Sequence, residues 1–192
     1  MTTEKLKATD TVTSGLTCNT KASEDAKATG LFEIKCHDKD GNLKWEAQSK
    51  NLVVNVGLAY MAGTALTSVA QITTWYLGLY GAASSNTPAA ADTMSSHSGW
   101  TEDVTYSNAT RVAATLVAAT TANPSVVTNT VSPAVFNING TTTVGGAFLT
   151  SGSAKSGTAG TLFSAADFGS PGDRSVVNSD TLSVTYTFSL AA

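Results

Sequence analysis

The residues that could do chemistry in this chain are few, and most sit in one segment. His97 lies in Asp92-Thr-Met-Ser-Ser-His-Ser-Gly-Trp-Thr-Glu-Asp103, with three carboxylates and several hydroxyls around it. A serine, His97 and Asp92 would make a nucleophile, a base and an orienting acid if all three met in hydrogen-bond geometry. Nearness in sequence does not supply that geometry, and a loop histidine bonded to backbone is the better reading. Glu102 with Asp103 or Asp92 is the candidate carboxylate pair for glycan hydrolysis, which needs two acids across a cleft. Asp38, Asp40 and Asn42 alternate as at the start of a calcium loop. Residue 49 is Ser where that loop requires Glu, and no helix follows, so a hairpin turn accounts for the spacing. Trp45, Trp75 and Trp100 are candidates for stacking on sugars. The first two fall in strand patterns and read as core, and only Trp100, at a loop exit, stays open as a surface contact.

Other signatures are absent. There is no nucleophile elbow, phosphate loop, zinc-protease helix or dinucleotide fingerprint. The glycines between Gly140 and Gly146 fall inside a strand pattern and mark a bulge or a close backbone contact. Cys18 and Cys36 are far apart with no CxxC pair, which argues against zinc. Cys36 lies on the inward side of a strand pattern and reads as a buried thiol. A Cys18–Cys36 disulfide stays open as an alternative. No catalytic, cofactor-binding or metal-ligating residue is assigned, and no cofactor is expected.

The elements that must position these residues are mainly strands. Phe32, Ile34 and Cys36 alternate with Glu33, Lys35 and His37, then Asp38-Lys-Asp-Gly-Asn42 turns the chain into Leu43, Trp45 and Ala47. This is a β-hairpin with Gly41 as its left-handed residue. Asn55 is expected to cap a short helix running to about Leu66, with Leu58, Met61, Ala62, Ala65 and Leu66 as its apolar stripe. Further strands are expected at Ile72–Tyr80, Trp100–Tyr106, Arg111–Ala118, Val126–Val131, Ala134–Asn139 and Thr143–Thr150. One helical turn is expected near Asp92–Ser96. A last strand alternates Leu182, Val184, Tyr186, Phe188 and Leu190 with small polar residues. Eight or so strands near ten-residue spacing predict a mainly β fold, an antiparallel β-sandwich or jelly-roll-like domain over residues 30–192. Residues 1–29 hold only Leu6, Val12 and Leu16 as large apolar residues and read as an extended N-terminal arm. It is either disordered or ordered only against a neighbouring subunit.

Composition narrows the function further. Of 192 residues only 13% are charged, about half the usual share of roughly 25%. Thr (31), Ser (21), Ala (28) and Gly (16) make up half of the chain. Residues 1–50 hold 8 of the 11 Lys/Arg and 8 of the 14 Asp/Glu, so the remainder is nearly uncharged. A net charge of −3 offers no footprint for nucleic acid. A surface with so little charge is poorly protected against association, which fits one covered by partner chains. The first residues show no secretory pattern, and no stretch is apolar enough to span a membrane. Synthesis in the cytosol is expected.

Seven blocks carry a family resemblance through their order: NLV (51–53), ITTWYLGL (72–79), DTMSSHSGWTE (92–102), YSNATR (106–111), FNIN (136–139), VGGAFLT (144–150) and SDTLSVT (179–185). Over about residues 30–192 the chain resembles structural proteins that tailed bacteriophages encode in their virion morphogenesis regions, near capsid genes. The resemblance transfers no catalytic residue. It implies a non-enzymatic virion protein made in the bacterial host cytoplasm. The first expectation is a capsid decoration, or cement, protein on the capsid surface. Such proteins are commonly small β-rich domains that trimerise over joints between capsomers and stabilise the head. The implied partners are the major capsid protein and further copies of the chain, a homotrimer being favoured, with no nucleic acid and no membrane. The alternative is a tail or fibre-associated protein of the virion.

Overall fold

The computed structural model describes residues 26–81, 87–168 and 172–192. Strands β1 (Lys27–His37) and β2 (Leu43–Lys50) form the hairpin that the alternation predicts. Phe32, Ile34 and Cys36 are fully buried, while Glu33 and Lys35 face outward. The Asp38 carboxylate closes the turn by accepting the backbone N–H groups of Asp40 and Asn42, each at 2.9 Å. Gly41 takes the left-handed conformation at φ +84°. Strand β12 (Thr181–Ala191) pairs antiparallel with β1 from Lys27↔Ala191 to His37↔Thr181. On the other side of β12 lie β7 (Ser125–Thr128) and β8 (Ala134–Asn137), completing a five-stranded sheet. The expected arm is described only from Ala26 onward, and Lys27–Thr29 already belong to β1. Cys18 lies outside the described residues, and the Cys36 thiol is free.

The second sheet runs β3 (Leu52–Val53), β10 (Leu162–Asp167), β9 (Thr142–Thr150), β4 (Trp75–Gly81) and β5 (Glu102–Asp103). Two more short strands complete it: β11 (Arg174–Val176) on β9 and β6 (Val112–Ala114) on β4. Every pairing in both sheets is antiparallel, so the fold is the predicted β-sandwich. The expected strand at Trp100–Tyr106 contracts to β5 plus an isolated bridge between Tyr106 and Ile138. That at Arg111–Ala118 contracts to β6. Strands of two or three residues are too short for a period to register, which is why the sandwich has more strands than the pattern indicates.

The main core lies between the sheets. Phe32, Ile34, Phe136, Val184 and Tyr186 of the first sheet meet Leu77, Leu79, Ala147 and Leu149 of the second. A second cluster, with Tyr80, Met94, Trp100, Phe148 and Leu162, covers the far face of the second sheet. Here the cross-strand pairs Gly78↔Phe148 and Tyr80↔Gly146 place each glycine beneath an aromatic ring. A Cβ at either glycine would collide with that ring, so these strands need glycine for close approach rather than for turning. Trp100 closes the stack, with centroids 4.9 Å from Phe148 and 5.4 Å from Tyr80. It is only 3% exposed, so the surface contact left open for it is closed and Trp100 is a core residue.

Helix α1 (Asn55–Leu66) has the predicted extent but not the predicted cap or face. Val54 is the N-cap residue and no side chain caps the helix, while the Asn55 N–H donates to the Ala90 carbonyl at 2.8 Å. Leu58 and Leu66 are 44% and 85% exposed. The inward face keeps Met61 of the expected stripe and otherwise carries Gly57, Tyr60 and Thr64. Gly57 sets this rotation, because it sits so close to the Phe163 carbonyl that a Cβ would collide with it. The turn expected as helical near Asp92–Ser96 is a tight β-turn, closed by paired backbone bonds between Thr93 and Ser96.

Candidate functional site

The structure brings His97 and Asp92 to the same residue but not to each other's service. The Asp92 carboxylate accepts the Trp100 indole N–H at 3.0 Å and the Ala89 N–H at 2.9 Å. His97 stacks on the Trp100 ring, with centroids 3.8 Å apart, and its Nδ1 lies 2.9 Å from the Trp100 carbonyl. Both groups therefore fix an irregular crossover over the second sheet. His97 bonded to loop backbone is the arrangement expected for it.

Glu102 is likewise occupied. Its two oxygens accept the Arg111 Nε–H at 2.8 Å and an Nη2–H at 2.7 Å, and the Ser156 N–H adds a third bond at 2.7 Å. Arg111 also donates to the Gly152 and Gly157 carbonyls, both at 2.9 Å, and lies over the Phe148 ring. It is 1% exposed, yet its guanidinium donors are used in a bidentate fork plus two backbone bonds. Asp103 accepts the Thr105 N–H at 2.7 Å and the Thr142 hydroxyl at 2.6 Å. Glu102 pairs with Tyr80 of the outer cluster and Asp103 with Leu79 of the inter-sheet core, so the three acids named from sequence do not share a cleft, and each holds a loop or strand in place.

A third polar knot ties the hairpin to β12. Asp180 is buried and accepts the Lys44 ammonium at 2.5 Å and the Val177 N–H at 2.9 Å. The Cys36 thiol donates to it at 3.8 Å. The hydrogen bond to Asp180 holds the Lys44 pKa above its ordinary value. Burial, reinforced by the Asp180 charge, pushes the Cys36 thiol up to about 11, so it is not a ready nucleophile. Among the described residues no group of three or more His, Cys, Asp or Glu is placed to hold a metal ion.

One concave feature is one that sequence reasoning missed. An apolar groove of about 440 Å³ opens between α1 and the end of the sandwich. Tyr60 and Met61 of α1, Trp75 of β4, Phe163 of β10, Phe188 of β12 and Leu116 line it. Tyr60, Trp75, Phe163 and Phe188 form a chain of edge-on rings, each 5.4 Å from the next. The Tyr60 hydroxyl accepts the Ile72 N–H at 2.7 Å, and the Thr64 hydroxyl donates into its own helix. With these groups turned to the fold, the groove is mainly apolar, with Gln71 as a polar residue of its lining. The signal for it was Gly57, whose fit against β10 turns Tyr60 and Met61 inward.

Outside the groove, large apolar side chains are scattered on the surface, with Leu66 and Val131 the most exposed at 85% and 84%. Among the described residues no helix is long and apolar enough to cross a membrane. No family model, curated protein or solved structure matches the chain.

Proposed function

We propose that the chain is a non-enzymatic structural protein of a phage virion, a capsid decoration protein that binds between capsomers and stabilises the head. The ordered sequence blocks suggest the virion. The observation that carries a structural role is the use of the ionisable groups. Asp92, Glu102, Asp103, Arg111 and Asp180 all hold loops and strands in place. What remains outside is a rigid, charge-poor sandwich with exposed apolar side chains, which suits packing among protein copies. Many copies on one shell would turn modest contacts into strong net stabilisation through avidity. In this reading the partners are the major capsid protein and, in a trimer, two further copies of the chain.

The test is binding of purified protein to expanded heads that lack it. Saturable binding with a raised melting temperature of the heads is expected. Absence of binding to every form of the capsid would overturn the reading. The tail or fibre-associated alternative is separated by copy number on stained gels of purified virions. A decoration protein would be present in hundreds of copies and a tail component in a handful.

A further inference from the structure

We infer that the outer edge of β2 is a contact between two copies of the chain, which add β2 to β2 antiparallel about a two-fold axis centred on Gln48. The two ends of the first sheet are finished differently. At the far end, the Val117 and Thr120 N–H groups donate to the Thr128 and Val126 carbonyls of β7 at 2.9 and 3.1 Å. The Ser107 N–H donates to the Asn137 carbonyl of β8 at 2.8 Å. Loops thus close that edge. β2 is the other terminal strand, eight residues long, and among the described residues no further strand or loop bonds to its outer side. A long strand edge left open in this way is a template for another strand.

The outward backbone groups follow from the ladder. The Asn51 N–H donates to the Gly30 carbonyl at 3.0 Å, and the register runs on through Phe32↔Ser49 and Ile34↔Ala47. Bonded and non-bonded pairs alternate along an antiparallel ladder. Ser49 and Ala47 therefore bond inward to β1, while Lys50, Gln48 and Glu46 turn their N–H and C=O groups outward. A second β2 must match outward residue to outward residue. Centred on Gln48, the two-fold sets Gln48 against Gln48 and, twice, Glu46 against Lys50, all three being exposed residues. Centred on Ala47, it would set Lys44 against Lys50. Centred on Ser49, Glu46 would meet Leu52 and both ion pairs would be lost. Edge charges ordinarily block pairing, and of these three registers only the one centred on Gln48 matches both signs. Charge complementarity thus names the occupant as a second copy. The inference does not rest on the capsid reading, and a trimer contact would use another surface.

The test is the mass of the full chain in solution, by sedimentation equilibrium from micromolar to millimolar concentration. Expected is an even number of copies: a dimer, or a hexamer where a trimer contact is also made. Glu46→Lys and Lys50→Glu, both at exposed positions, should each raise the dissociation constant of the paired form about tenfold or more, because each turns two attractions into two repulsions. Mixed in equal amounts, the two variants should recover the parent's affinity, since each residue 46 then faces a residue 50 of opposite sign. The chain carrying both substitutions should recover it too. A monomer or a lone trimer at every concentration overturns the inference. So does a pairing that neither single substitution weakens, or one that neither the mixture nor the double substitution restores.

Discussion

The two sheets of this sandwich face the solvent on different terms. In the first, β1 alternates from Gly30 to Cys36 and β12 from Leu182 to Tyr186, one face in the core and the other carrying Glu33, Lys35, Ser183 and Thr185 toward water. In the second, β9 and β10 are buried along nearly their whole length, because the loops around residues 87–111 and 151–161 cover the outer face. An antiparallel sheet needs only one covered face. The second cover is held by Trp100 over the Gly78–Phe148 and Tyr80–Gly146 pairs, and by the buried Arg111–Glu102 fork. The comparison teaches that Asp92, Glu102 and Arg111, among the few charges of residues 51–192, are placed where they fasten a second layer rather than where they would solvate the surface.

The sharpest way to break this contrast is to remove one partner of the fork. Glu102→Ala leaves Arg111 buried and unpaired, and should cost about 3–5 kcal/mol in urea unfolding. Replacing both, Glu102→Leu with Arg111→Met, should recover most of that loss. If Glu102→Ala unfolds at the parent's midpoint, the outer layer is not integral to the fold. Next comes Gly78→Ala. In an open strand this change would gain stability, whereas beneath the Phe148 ring it should cost about 1–3 kcal/mol. The sign of the measured change is therefore the test.

A smaller effect belongs to the first sheet's buried thiol. The folded state holds the Cys36 proton up to about 11 against an ordinary 9.0. Between those values the folded chain binds more protons than the unfolded one, so stability falls as pH rises through this window. The slope of unfolding free energy against pH should flatten in Cys36→Ala, and an unchanged slope would show that the thiol does not titrate there. The smallest effect is expected on the solvated face. Lys35 and Glu46 sit 3.9 Å apart and are 59% and 65% exposed, so Lys35→Ala should shift stability by no more than about 0.5 kcal/mol. A larger loss would mean that this face, too, is held by its charges.

The same contrast explains what could be read in advance. The β1–β2 hairpin and β12 were legible because a half-solvated strand writes its period into the sequence, and Gly41 marks its own turn. The extent of α1 was legible from its apolar content, but its inward face was not. That face depends on Gly57 meeting the Phe163 carbonyl, a contact between residues far apart in the chain. Trp100 could not be assigned to core or surface because it leaves a loop, and only the paired glycines of β4 and β9 reveal the space it fills. His97 and the nearby carboxylates drew attention by type. Their partners, the Trp100 carbonyl and Arg111, decide what they do. The groove was invisible for the same reason, since its walls come from α1, both sheets and a loop.

The pairing of β1 with β12 also has a consequence for how the molecule is made. Cys36 and Asp180, which join the two strands at one end, are 144 residues apart. At about 5–20 residues per second, synthesis of that interval takes roughly 7–30 s. Throughout it the β1–β2 hairpin has no partner along the edge that β12 will occupy, and carries Phe32, Ile34 and Cys36 uncovered. A lone hairpin is marginal in water and an open edge invites pairing with another chain. The charges of the first 50 residues, eight of each sign, fall on just this hairpin and the segment before it, and charged side chains beside the waiting edge disfavour its pairing with another chain.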